Sequence, residues 1–359
     1  MEKNPREIAL DILLDIEKNK IFLNTALNTG LRSNQFMSKQ ERAFITRLVE
    51  GVVETRIRLD YIINSFSNTK VNKCKPLIRC ILRMGTYQIF YMEKVPDEAA
   101  CNECVKLAEK RGFRNLKGFV NGVLRNISRN KDNIKYPDKA NEHRKYISVM
   151  YSVPEEVIDI LEEDYSPEDV ESIVGAVFAD RSTIRVNRDR ISVDEFKKEL
   201  ESNGISVRRG NYTDNTLLID DYDYIRKVPG FHQGYFNVTD ESSVMAVDCA
   251  GINKGDLVLD MCAAPGGKTM YAAELTGPTG TLVSRDVSDN KVELIEENIE
   301  RLGYENVKPQ VFDACVYDET MEGKADVVLC DVPCSGLGIM GRKNDIKYNI
   351  DKAGVISLS

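Results

Sequence analysis

The chain has no tryptophan and only two histidines among its 359 residues. The histidines, His143 and His232, lie too far apart in sequence to form a local metal motif, so a histidine-built metal centre is not expected. No apolar run approaches the roughly 18 residues needed to cross a membrane. The start, Met1-Glu2-Lys3-Asn4-Pro5, lacks the apolar core of a signal peptide. The nine cysteines are odd in number and scattered without a framework pattern, which points to reduced thiols in the cytosol. Cys101 and Cys104 form a CxxC, but with no second pair for zinc and within a helical stretch, so both are expected to pack in a core. The turn over Cys262–Lys268 does not fit GxGxxG, and the GxxxxGK[ST] spacing fails there because Cys262, not glycine, stands five residues before Gly267. A phosphate-binding loop is thereby disfavoured.

Hydrophobic residues make up 42% and charged residues 30%, the balance of a soluble globular protein long enough for two or three domains. The net charge of -8 is unevenly spread. Residues 1–140 carry 26 Lys and Arg against 16 Asp and Glu, whereas 141–359 carry 23 against 41. A basic N-terminal third on an acidic protein suggests contact with a polyanion. A solvated helical surface is the plain alternative.

Residues 5–130 are expected to be helical throughout. Ile8, Ile12 and Ile16 recur at helical spacing, as do Ile78, Leu82 and Ile89. Ser38 with Glu41 is a capping box for a helix over Gln40–Val53. Val95-Pro96-Asp97-Glu98 opens a helix ending near Gly112, and Lys117–Ser128 forms another. Asn130–Glu142, with Tyr136-Pro137-Asp138, is a plausible linker, followed by a helix over Val153–Tyr165. Strand Ser182–Asn187, helix Val193–Asn203 and strand Ser206–Arg208 then make a βαβ-like region within a small α+β module. From Leu257, short apolar strands at 257–261, 281–285, 308–312 and 326–330 alternate with helices, which predicts a parallel doubly wound sheet.

The strongest motif is Val258-Leu259-Asp260-Met261-Cys262-Ala263-Ala264-Pro265-Gly266-Gly267-Lys268-Thr269. An apolar strand enters a small-residue turn, and a helix begins near Lys268. Ligands sit beyond the carboxyl end of such a strand, and Gly266 and Gly267 let backbone approach where a Cβ would clash. Asp286 ends the second strand, where an acidic side chain can accept both ribose hydroxyls of a nucleoside. Asp313 follows the third strand, placed for an adenine amino group, and the fourth delivers Asp331-Val332-Pro333-Cys334-Ser335. Each Asp alone is a common strand-end residue. Four strand ends in register around a glycine turn are not.

Cys262–Lys268 together with Asp331–Ser335 resembles the RNA cytosine-C5 methyltransferase family. Arg185-Val186-Asn187 and Asp240-Glu241-Ser242-Ser243 resemble its pre-catalytic segments, and Asp345-Ile346-Lys347-Tyr348 its loop after the fourth strand. Ala43-Phe44 with Leu48-Val49-Glu50-Gly51-Val52, Arg83-Met84-Gly85-Thr86-Tyr87-Gln88 and Phe119-Val120-Asn121-Gly122-Val123-Leu124-Arg125 resemble NusB, an RNA-binding helical fold. The fusion resembles the RsmB/Sun family, bacterial enzymes that methylate cytosine 967 of 16S rRNA, and the resemblance covers nearly the whole chain.

The resemblance implies an all-α NusB-like domain (1–135), a small α+β RNA-binding, pre-catalytic module (141–235) and an α/β Rossmann-like methyltransferase domain (236–359). It implies S-adenosylmethionine as cofactor, held by Cys262, Ala263, Ala264, Pro265, Gly266, Gly267, Lys268, Asp286, Asp313 and Asp331. It also implies a monomeric cytoplasmic enzyme with 16S rRNA as partner and no membrane contact. Cys334 matches the cysteine that releases product. The family's attacking cysteine lies in a Thr-Cys motif beyond Lys347, and no such motif occurs before Ser359. The methyltransferase domain is therefore expected to be incomplete, with a half-sheet ordered 3-2-1-4 and an apolar edge at Val327-Val328-Leu329. Cys330, expected inside that strand, and Cys315 are not expected to replace the nucleophile. Thr239 stands where the family has Gln. Two other readings are a non-catalytic RNA-binding protein and a small-molecule methyltransferase; the NusB-like segments and Asp331–Ser335 weigh against the second.

Overall fold

Burial of aliphatic side chains at helical spacing organises the first part of the chain, as seen in a computed structural model. The structure describes residues 4–34, 37–176, 182–222, 224–340, 343–350 and 352–358. By internal contacts the chain divides into two units, Met1–Phe178 with Cys334–Ser359, and Ala179–Pro333.

In the first unit the helices are α1 (Pro5–Asn19), α2 (Leu23–Arg32), α3 (Lys39–Glu54), α4 (Arg56–Phe66), α5 (Pro76–Tyr91), α6 (Asp97–Lys110) and α7 (Lys117–Arg129). The Ser38–Glu41 capping box forms as the sequence predicts: the serine hydroxyl accepts from the N–H of Glu41, and the Ser38 N–H donates to the glutamate. A second box, Asn4 with Glu7, opens α1. One continuous core runs from Ile8 to Ile127 and takes in Cys101 and Cys104, where burial pushes both thiols up, that of Cys104 to about 12. Arg83 is buried in that core, and its guanidinium donates to Asp60 and Glu17 at 2.7 Å each. A buried charge of this kind persists only when paired and hydrogen-bonded.

Helices α8 (His143–Tyr151), α9 (Glu155–Leu161) and α10 (Pro167–Gly175) complete this part around Ile147, Val157, Ile158 and Val170. The expected single helix over Val153–Tyr165 is shorter and starts later. Ser152 takes a left-handed φ of 56°, and Pro154 bars Val153 from helical geometry. Residues 334–358, including α15 (Lys352–Leu358), belong to the same unit. There the Tyr348 hydroxyl donates to the carbonyls of Glu54 or Ser152, at 3.0 and 2.9 Å, and its ring lies 3.7 Å from the Arg56 guanidinium.

The second unit holds two sheets. Strands β1 (Ser182–Val186), β2 (Ser206–Arg209), β3 (Thr216–Asp220) and β4 (Phe236–Val238) are ordered β2-β3-β1-β4 and antiparallel throughout. The βαβ-like expectation for this region is corrected. Helix α11 (Val193–Ser202) does join β1 to β2, but β3, which the sequence pattern missed, lies between them and pairs with both. The second sheet is parallel, with β5 (Leu257–Asp260), β6 (Thr281–Asp286), β7 (Val307–Val311) and β8 (Val327–Leu329) ordered β7-β6-β5-β8. This is the predicted 3-2-1-4 order. Helices α12 (Glu241–Cys249), α13 (Gly267–Thr276) and α14 (Asp289–Leu302) belong with it. Val328 is 54% exposed on β8, which pairs only with β5 among the described residues. No helix among the described residues is long and apolar enough to cross a membrane.

Candidate functional site

The site is built where β5 ends and the chain must turn into α13. The N–H of Met261 still donates to Leu329 O on β8, and that of Ala263 donates to Arg285 O on β6, so the turn stays tied to both neighbouring strands. The Ala264–Pro265 bond is cis, and the Asn298 amide donates to the Pro265 carbonyl at 2.9 Å. Gly266 sits at φ 102°, a conformation that a side chain resists. Gly267 begins α13 with Thr239 against it: a Cβ there would lie 3.3 Å from the Thr239 hydroxyl oxygen. A helix start leaves its first N–H groups without intrahelical partners, and at the carboxyl end of a strand that makes a favourable place for polar or anionic ligand atoms.

Asp286 is buried at the end of β6. One carboxylate oxygen accepts from the N–H of Ala264 at 3.0 Å; the other accepts from Val287 N–H at 2.7 Å and from the Lys291 ammonium at 2.9 Å. Burial pushes this carboxyl up, but the Lys291 ammonium and the two backbone donors outweigh it and hold the group below the usual carboxylate range. The oxygen facing Ala264 keeps a lone pair for a ligand hydroxyl. Asp313 is exposed beyond β7 and accepts from the N–H of Cys315 at 2.9 Å. Asp331, beyond β8, pairs with the Lys268 ammonium on the first turn of α13 at 2.5 Å. Cys262 is half-buried, and burial followed by the nearby Asp286 pushes its thiol up. The structure thus places Cys262–Lys268, Asp286, Asp313 and Asp331 along the carboxyl edge of one parallel sheet. Cys334 is exposed and opens the segment counted with the first unit. Cys330 lies just past β8 rather than inside it and is exposed.

Two features escaped the sequence. Asp260, the last residue of β5, is 1% exposed and accepts from the Thr269 hydroxyl at 2.7 Å. Its other oxygen has no hydrogen-bond partner among the described residues. Burial pushes its carboxyl up to about 6, against the smaller opposing effects of Thr269 and Lys268. Its place in the motif string was visible, but nothing in the string distinguished it from the strand residues before it. The second feature is a buried ion cluster. Arg185, wholly buried on β1, and Arg188 both hold Glu274 on α13, at 2.5 and 3.0 Å, while the Tyr271 hydroxyl donates to Asp248 on α12. The Arg185–Glu274 pair ties α13 to the antiparallel sheet, and the Tyr271 bond ties it to α12.

The chain matches two family models, the NusB family over residues 3–129 and 16S rRNA methyltransferase RsmB/F over residues 250–359. It is 34% identical over 345 residues to the "Probable ribosomal RNA small subunit methyltransferase B" of Bacillus subtilis (strain 168), covering 96% of this chain and 76% of that protein. The protein of the same name from Synechocystis sp. (strain ATCC 27184 / PCC 6803 / Kazusa) is 28% identical, covering 98% of this chain and 79% of that one. Among solved structures, PH0851 superimposes with a TM-score of 0.79 at 21% identity, covering 100% of this chain and 81% of that one, which shows a common fold. Helical N-terminal domain, parallel sheet and sequence agree: the chain belongs to the RsmB/Sun family of ribosomal RNA small subunit methyltransferases.

Proposed function

We propose that the protein methylates C5 of a cytosine in 16S rRNA, at position 967, with S-adenosylmethionine as cofactor. The observation that carries the reading is the convergence of the Gly266–Gly267 turn, Asp286, Asp313 and Asp331 on one sheet edge. These residues fit a nucleoside-bearing ligand: the open backbone turn accommodates close approach, and Asp286 retains acceptor capacity for ribose hydroxyls. Bound S-adenosylmethionine supplies an electrophilic methyl group.

Cytosine C5 is too weak a nucleophile to take that methyl unaided. A thiolate adds to C6, C5 gains enamine character and takes the methyl, then loss of the C5 proton and of the thiolate restores the ring. In the family the attacking thiolate comes from a Thr-Cys motif, and the Pro-Cys cysteine, here Cys334, promotes release. By the resemblance Asp331, paired with Lys268, would lie between cofactor and base. Residues 1–135 form the NusB-like RNA-docking domain, 141–235 the pre-catalytic module and 236–359 the methyltransferase domain of a monomeric enzyme acting on cytoplasmic rRNA.

The test is transfer of tritiated methyl to unmodified 16S rRNA. Residues 1–359 alone lack a match to the Thr-Cys motif, so that polypeptide should transfer nothing measurable. Appending a family-like segment with Thr-Cys should give activity. Cys334→Ala in that longer protein should trap a covalent RNA adduct on a denaturing gel. Activity of residues 1–359 that Cys334→Ala abolishes would instead make Cys334 the nucleophile.

A further inference from the structure

Glu241, the first residue of α12, spends its carboxylate on a turn some thirty residues earlier in the chain. The backbone N–H groups of Asn211, Tyr212 and Thr213 donate to it at 3.0, 2.8 and 3.2 Å, and the Thr216 hydroxyl lies 3.2 Å from the same oxygen as the last two. The turn connects β2 to β3 and wraps the carboxylate closely: a Cβ on Gly210 would lie 2.4 Å from a Glu241 oxygen. Charge-assisted bonds to successive backbone donors are among the stronger ones available to a loop, so the turn is held in one conformation.

What the turn presents is Tyr212, 75% exposed and without a ring contact among the described residues. Arg188 and Arg209 both reach Asp214, two residues further along the same turn, at 3.8 and 3.4 Å. Their side chains are 41% and 48% exposed, and each guanidinium keeps N–H donors beyond its carboxylate partner. The turn also lies close to the candidate cofactor site, because Thr239, two residues before Glu241, packs on Gly267.

An exposed aromatic on a turn that two guanidinium groups also reach is suited to unpaired nucleotides: the ring offers a stacking face and the cations meet phosphates. We propose that the β2–β3 turn is an RNA contact in which Tyr212 stacks on an unpaired base flanking the target cytosine, with Glu241 as the positioning residue. The inference rests on the proposed RNA methyltransferase function and deepens it by naming a contact that selects the local structure of the substrate.

The test uses the full chain and an unmodified 16S rRNA transcript carrying 4-thiouridine. Irradiation followed by peptide mapping should place a crosslink on Tyr212. Tyr212→Ala should remove that crosslink and weaken rRNA binding about 5- to 100-fold, whereas Tyr212→Phe, which keeps the stacking face, should bind like wild type. S-adenosylmethionine affinity should be unchanged in both, which separates the contact from a folding defect. Glu241→Gln should weaken rRNA binding without altering the circular dichroism spectrum. Wild type that binds rRNA with no crosslink at Tyr212, and Tyr212→Ala that binds equally well, would overturn the inference and leave the proposed function standing. A wild-type chain with no affinity for the transcript would overturn both.

Discussion

The carboxylate of Asp345 accepts a hydrogen bond from the backbone N–H of Leu23, 2.7 Å away at the first residue of α2. Phe22, at the N-cap position of that helix, makes no side-chain cap hydrogen bond. A residue 322 positions later in the chain therefore supplies the cap. Replacing it with alanine leaves a buried donor unmet and removes a negative charge from the positive end of a helix. Asp345→Ala should cost about 1 kcal/mol, seen as a lower denaturant midpoint with an unchanged slope.

Asp286→Ala should weaken S-adenosylmethionine binding by about 1.5–3 kcal/mol, the range for hydrogen bonds to a charged group. Calorimetry on wild type and variant checks this. Equal affinities would remove Asp286 from the cofactor site.

Asp260 gives a pH signature. Its folded carboxyl titrates at about 6 because of burial, above the roughly 3.9 of an unfolded aspartate. Between those values the folded state holds the extra proton, so this group's contribution to stability is fully present below about pH 4 and is lost as pH rises through 6. Asp260→Asn, which keeps an acceptor for the Thr269 hydroxyl, should gain on wild type as pH rises over that window. The gain should level off above pH 7 at on the order of 1–3 kcal/mol. Urea melts at pH 4, 6 and 8 measure the difference.

Residues 1–135 should fold alone, since every buried residue of their core lies between Ile8 and Ile127. The fragment should bind 16S rRNA, and its affinity should fall at least about tenfold between 50 and 200 mM salt, because phosphate contacts release counterions. It should melt below the corresponding unit in the full chain, having lost the Asp345 cap and the Tyr348–Arg56 contact. Salt titrations and thermal scans report both effects.

Much of this was legible in the sequence where local chemistry decides local structure. The Ser38–Glu41 box, the glycine turn after β5 and the strand-end aspartates follow rules that operate within a few residues. Alternating apolar strands and helices indicated a parallel sheet, and the resemblance to the methyltransferase family supplied its 3-2-1-4 order. The antiparallel placement of β3 between β1 and β2 was not legible: Thr216-Leu217-Leu218-Ile219-Asp220 shows no strict polar–apolar alternation, and its partners lie more than five residues away in the chain. Nor were the Arg185–Glu274 pair, the Asp345 cap or the hold of Glu241 on residues 211–213, since each joins residues that only tertiary folding brings together. The polar partner of a buried group can be required by physics without being named by the string.

The grouping of Cys334–Ser359 with Met1–Phe178 makes the second unit an insertion in the first, and this orders events during synthesis. At roughly 5–20 residues per second, about 15–65 s separate the emergence of Leu23 from that of Asp345. For that interval α2 has its own helical bonds but no cap, and Arg56 has no tyrosine ring above it. The entire second unit, with the candidate cofactor site, is translated in between. The N-terminal helices thus emerge first, and these contacts from Asp345 and Tyr348 reach them only after the whole second unit has been translated.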